Sequence, residues 1–145
     1  MATAKSEAAT AATNVITAFN EGGVEAALEY VDPQLEWWAP PDWLEDEVYR
    51  GHDGLRKLAA FWTDQFDEYR LHLDRLIDLD DGCVLVLSHQ HGTIKGSTVE
   101  IEQPVAWIVE ARDGKMSQVH IHFTWEAAAD AVGVPASDLG ATPPG

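Results

Sequence analysis

The chain has 145 residues, enough for one domain with a single core and too few for two. A net charge of −16, from 25 acidic and 9 basic residues, argues against nucleic acid, which needs clustered Lys and Arg, and equally against anionic membranes. One cysteine, Cys83, leaves no internal disulfide, and no run reaches the ~20 apolar residues of a membrane-spanning helix.

Residues 1–5 read as a disordered start. Met1 to Thr13 is Ala-rich but lacks the apolar stretch of roughly 7–15 residues of a secretory signal, so a cytoplasmic location is expected. From Glu7 to Asn20, Ala8, Ala12, Val15, Ile16 and Phe19 recur at helical spacing, and Glu21-Gly22-Gly23 ends that helix. Val24, Ala27, Leu28 and Val31 predict a short second helix that Asp32-Pro33 stops.

Gln34 to Ala39 reads as a strand with two adjacent Trp, and Pro40 to Arg50 as an acidic loop. A third helix is predicted over Gly51–Phe66, with Leu55, Leu58, Ala59, Trp62 and Phe66 on one face. The period then changes to two. Tyr69–Asp80, Cys83–Ile94, Thr98–Arg112 and Lys115–Thr124 predict four strands, with hairpin turns at Asp81-Gly82 and Asp113-Gly114. A last helix, Trp125 to Val132, precedes a tail over 134–145 that is expected to be flexible. Helices followed by a long meander predict an α+β domain over 6–133, with the helices on one face of an antiparallel sheet.

Alternation assigns the faces. On Thr98–Arg112, Gln103, Val105, Trp107 and Val109 share the side expected to face the helices, and Glu100, Glu102 and Glu110 the other. A three-residue Arg112-Asp113-Gly114 loop would pair Trp107 with Val119, Val105 with Ile121 and Gln103 with Phe123. A two-residue Asp81-Gly82 turn would pair Arg75 with Ser88 and Leu73 with Gln90, leaving His72, Asp74, His89 and His91 outside. A one-residue slip would bring Asp74 and His72 inward instead.

The expected pocket wall comprises Trp38, Trp62, Val105, Trp107, Ile121 and Phe123, aromatic surface suited to a planar or polycyclic ligand. Ser88, Gln90 and Gln103 are polar at inward positions and must bond one another, water or a ligand. Arg75, if inward, could hold a carboxylate or enolate oxygen, and Asp42 on the acidic loop is the candidate base. His89/His91 and His120/His122 project outward on strands two spacings apart, about 9–10 Å, too far for one metal ion with ~2.1 Å bonds. No metal and no cofactor is expected.

Short motifs in a specific order resemble the nuclear transport factor 2-like superfamily, and within it the SnoaL-like polyketide cyclase and ketosteroid isomerase-like branch. They are Ala18-Phe19-Asn20-Glu21-Gly22, Val31-Asp32-Pro33-Gln34-Leu35-Glu36-Trp37-Trp38, Tyr49-Arg50-Gly51-His52-Asp53-Gly54-Leu55, Gly92, Arg112-Asp113-Gly114-Lys115-Met116, and Ala127-Ala128 before Gly133. The resemblance implies a cone-shaped barrel of curved antiparallel sheet with helices on its concave face, usually a homodimer. It also implies a ligand pocket between sheet and helices.

The family's catalytic residues do not carry over. The isomerase base falls on Trp38, the oxyanion-hole acid and the cyclase His fall near Trp107, and the cyclase's general-base Asp falls on Ile121. The epoxide hydrolase Asp-Arg-Asp triad has no counterpart. The expected function is therefore binding of a small, largely apolar carbonyl or polyketide-like molecule. Turnover as a cofactor-independent cyclase, isomerase or hydrolase is one form of it, and a non-enzymatic binding or sensing domain is the alternative. A purely structural dimerisation module would leave Ser88, Gln90 and Gln103 without purpose.

Overall fold

The computed structural model describes residues 6–39, 48–79 and 82–139. Helix α1 (Glu7–Ala27) opens on the Ser6 hydroxyl, which accepts the Ala9 N–H at 3.1 Å. Its buried face is mostly alanine (Ala8, Ala9, Ala11, Ala12), which lets the helix lie close to the sheet. Gly23, at φ 77° and ψ −169°, breaks the helical path where the sequence places an end, and the chain resumes helix to Ala27. After a 3-10 turn at Leu28–Tyr30 comes β1 (Val31–Trp38).

The strand thus starts three residues before the predicted Gln34 and runs through Asp32-Pro33. Its parallel pairing with the last strand is irregular between Val31 and Glu36, so Pro33 interrupts no regular ladder. Strand β2 (Val48–Arg50) leads into α2 (Gly51–Thr63), which ends before the predicted Phe66 because Phe66 opens β3 (Phe66–Asp78). Strands β4 (Val84–Ile94), β5 (Glu100–Arg112) and β6 (Lys115–His122) follow, then α3 (Trp125–Val132).

The strands form one curved, unclosed sheet in the order β2-β1-β6-β5-β4-β3, antiparallel except for β1 against β6. This is the expected α+β architecture. On one face α1 and α2 cover a core that includes Leu35, Trp37, Val86, Val105, Trp107, Val109 and Ile121. Asn20 fastens α1 to the edge strand β3: its amide donates to Leu71 O (2.7 Å) and accepts from Leu71 N (3.0 Å), which also satisfies an exposed sheet edge. Arg112 on β5 reaches Asp32 on β1 at 3.1 Å.

Not all helices share that face. α3 packs Trp125, Ala128 and Ala129 against Leu85, Leu87 and Ala106 on the opposite side of the sheet. Thr124 caps it, Gly133 (φ 75°) ends it, and the Trp125 indole donates to Ser88 O at 2.9 Å. Within the stretch expected as a flexible tail, Leu139 is 3% exposed and joins this second cluster.

Two registers differ from expectation. Asp113 takes a positive φ (54°) beside Gly114 (78°), so a two-residue turn puts Arg112 opposite Lys115. With a bulge between Glu110 and Ala111, Trp107 then pairs with Ile121 rather than Val119. The displacement is two residues, so the inward set survives. Between β3 and β4 a bulge at Leu73/Arg75 changes the phase: Leu71 faces Gln90, Leu73 faces Ser88 and His72 faces His89, but Arg75 faces Leu87.

Candidate functional site

Between the sheet and the helices lies a cavity of about 60 Å³. Its floor is Trp37 from β1, Tyr69 and Leu71 from β3, Gln90 from β4, Val105 and Trp107 from β5, and Ile121 from β6. Its roof is Val15 and Phe19 of α1, with Leu55, Leu58 and Trp62 of α2. Trp37 and Trp107 meet edge to face, ring centroids 4.9 Å apart. Trp62 leans on Phe123 at 5.9 Å, and Phe19 on Tyr69 at 6.0 Å.

Of the expected wall, Val105, Trp107, Ile121 and Trp62 line the cavity, and Phe123 is buried behind Trp62. Trp38 does not. Leu35, Trp37 and Ala39 take the inward phase of β1, and Trp38 falls on the other side, where its ring stacks on His120 (6.0 Å, 6° between planes). The inward tryptophan is Trp37, and the alternation of Leu35 and Glu36 carried that signal.

Arg75 is also displaced. The bulge at Leu73/Arg75 turns it to the side of Leu87, where it is exposed, so it offers no cation to the cavity. Asp42 lies outside the described residues.

The polar positions separate. Ser88 is fully buried, but its hydroxyl donates to Val105 O at 3.0 Å and is satisfied within the sheet. Gln90 is 3% exposed and sits in the middle of a chain of bonds. It receives the Tyr69 O–H at 2.6 Å and donates its amide to Gln103 at 2.8 Å. Tyr69 was not singled out from sequence, although it shares the inward parity of Leu71 and Leu73. Burial pushes its phenol well above the usual tyrosine range, so it is neutral at physiological pH and acts as a donor.

The described lining contains no carboxylate, imidazole, amine or guanidinium. It can hold, orient and hydrogen-bond, but cannot shuttle protons at neutral pH. A cavity needs roughly 10–15 Å³ for each enclosed water, so this hollow takes a few waters or a small organic group.

The strand histidines, His72, His89, His91, His120 and His122, lie on the opposite face. His89 sits between Asp74 (2.8 Å) and Glu102 (3.2 Å) with His72 stacked on it at 4.7 Å. Burial and the neighbouring His120 lower the His122 pKa. Among the described residues no group of three or more His, Cys, Asp or Glu is placed to hold a metal. A polar groove of about 570 Å³ follows the irregular stretch of β1, but its arginines are engaged, Arg50 with Glu36 and Arg112 with Asp32. No helix among the described residues is long and apolar enough to cross a membrane.

Comparison with known proteins adds a family. The model of the SnoaL-like domain matches residues 12–119. Three solved structures share the fold. An NTF2-like protein of unknown function from Burkholderia pseudomallei is 16% identical with a TM-score of 0.69, covering 88% of this chain and 98% of that one. A protein from Jannaschia sp. described as a SnoaL-like polyketide cyclase is 12% identical with a TM-score of 0.68, over 92% and 99%. TerC, co-crystallised with polyporic acid, is 20% identical with a TM-score of 0.68, over 88% and 99%. No curated protein matches the chain.

Proposed function

The chain belongs to the SnoaL-like domain family, and from that premise we propose that it binds a small, largely apolar carbonyl or polyketide-like molecule in the cavity between sheet and helices. One observation carries the reading: three tryptophans, Trp37, Trp62 and Trp107, meet at a hollow whose described wall holds a single polar cluster, Tyr69 with Gln90. Apolar walls with few polar groups are the usual composition of small-molecule sites. TerC with polyporic acid, and a ketosteroid isomerase-like fold protein from Catenulispora acidiphila in complex with trimethylamine, support it by analogy of fold.

Binding is better supported than turnover, because no group in the described lining titrates near neutrality. Native mass spectrometry of freshly purified protein tests it, together with tryptophan fluorescence during titration with small ketones and quinones. A copurified adduct or saturable quenching is expected. The absence of both a mass shift and quenching across the panel refutes the proposal.

A second reading, a cofactor-independent cyclase, isomerase or hydrolase, is favoured by Gln90, whose amide carries a second N–H beside the one given to Gln103 and could polarise a carbonyl oxygen. Its acid or base would come from Asp42. Exchange of the α-protons of a bound ketone, followed by NMR, would then be abolished by Asp42→Asn with binding retained. A homodimer belongs to the same proposal, with light scattering expected to give twice the mass of one chain.

A further inference from the structure

The face of the sheet turned away from the cavity is only partly covered. α3 lies over Leu85, Leu87 and Ala106, on β4 and β5. Toward β2, pairing aligns two neighbouring rows of outward side chains across four strands. One row is Val48, Trp38, His120 and Ile108, and the next is Arg50, Glu36, Gln118 and Glu110. The first row holds no acid and no permanent charge, on a chain of net charge −16. Val48, Trp38 and Ile108 in it are half-buried, so apolar surface stays in contact with water.

The second row shows which partner fits. It begins with the cation Arg50 and ends with the anion Glu110, three strand spacings or about 14 Å away. A second copy laid on this face about a two-fold axis parallel to the strands meets the row in reverse order. Each Arg50 then faces Glu110 of the other copy, and the two uncharged rows close on each other. The pattern complements itself, as a two-fold interface requires.

Histidine makes this face sensitive to acid. On the β3–β4 side His89 has Asp74 and Glu102 as carboxylate partners, and His91 has Glu100. His120 and His122 on β6 have no ion-pair partner among the described residues; His120 stacks on Trp38. The charged side chains on the elements around them are Glu36 of β1, held by Arg50 of β2, then Glu110 of β5, and Glu126 and Asp130 of α3. Burial and then His120 already lower the His122 pKa. A second copy over the row strips water from His120 as well, so protonation and association oppose each other.

We propose that a second copy of this chain docks on the outer face, with Trp38, His120 and Ile108 at the centre, and that the pair comes apart in mild acid. The inference rests on the homodimer reading above and adds its surface and its regulation.

Sedimentation velocity of the full-length chain at about pH 7.5 and about pH 5.5, in about 0.15 M salt, reads the mass, and circular dichroism follows the fold at both. The dimer Kd is expected to rise about tenfold or more at the lower pH, the effect of one pKa unit, and the rise to disappear in His120→Gln/His122→Gln. Glu110→Arg and Arg50→Glu, each alone, are expected to weaken the dimer at pH 7.5, because each sets like charges opposite one another. An equimolar mixture of the two variants is expected to form a heterodimer, in which both pairs are again of opposite sign.

A monomer at both pH values refutes the homodimer reading and the inference with it. A dimer of equal strength at both, or two charge variants with no preference for each other, overturns the inference and leaves the homodimer standing. The mixing result decides even if the histidine variant folds poorly.

Discussion

Tyr69→Phe and Gln90→Leu form a cycle that tests the hydrogen-bond chain in the cavity wall. Tyr69→Phe removes the O–H that lies 2.6 Å from Gln90 Oε1. Because Gln90 is 3% exposed, water cannot replace that donor, and a buried unpaired acceptor costs about 1–3 kcal/mol. Losing the hydroxyl's own desolvation offsets part of this, leaving about 1–2 kcal/mol. At about 3 °C per kcal/mol for a chain of this size, Tm should fall about 3–6 °C.

Gln90→Leu strands the buried Tyr69 hydroxyl, while the partly exposed Gln103 oxygen can turn to water, so about 1–3 kcal/mol is expected. Adding Tyr69→Phe to Gln90→Leu should cost almost nothing, since no acceptor remains to be orphaned. The coupling is therefore about −1 to −2 kcal/mol. Urea unfolding at pH 7, followed by tryptophan fluorescence, measures all four corners. Additivity within about 0.5 kcal/mol would refute the reasoning, because the hydrogen bond would then contribute nothing specific.

Stability should decline as pH falls below about 6.5. His122 has a folded pKa below its unfolded value, so the unfolded chain takes up the proton first and gains on the native state. Asp32 adds to the loss at lower pH. The Gln34 N–H and then Arg112 depress its pKa, so its contribution is present above about pH 3.9 and disappears as pH falls through the folded value. Urea midpoints at about pH 8 and pH 5.5 should differ in wild type and converge in His122→Gln; a midpoint that rises on acidification would contradict the assignment.

Gly92→Ala should lower Tm by a few degrees, because an added Cβ would lie 2.9 Å from Phe66 Cδ1 and 3.2 Å from Phe66 Cβ; an unchanged Tm in a thermal melt would contradict this. Trp125→Phe should cost about 1–2 kcal/mol more than Trp37→Phe or Trp107→Phe, since only Trp125 gives up a hydrogen bond inside the protein. Equal losses in a denaturant series would mean that the cavity indoles have partners after all.

Much of the fold is legible locally because a period is a local property. The parity of Val105, Trp107 and Val109 identifies the inward face of β5, the boundaries of α3 follow from Trp125 to Val132, and Asp113-Gly114 marks the hairpin. The family resemblance rests on the same short segments, and the SnoaL-like match over 12–119 agrees with it.

Tertiary structure decided what alternation along one strand cannot. The bulge at Leu73/Arg75 inserts a residue whose place depends on β4 across the ladder, and it sends Arg75 outward. Trp37 rather than Trp38 faces the hollow because β1 docks in parallel on β6 with Leu35 buried, a pairing more than eighty residues distant in sequence. Which face α3 covers, and that Trp125 finds an acceptor while Trp37 and Trp107 find none among the described residues, are likewise long-range outcomes. A sequence specifies which side chains alternate. Only the assembled sheet and helices determine which of them end beside empty space and which donors are left without an acceptor.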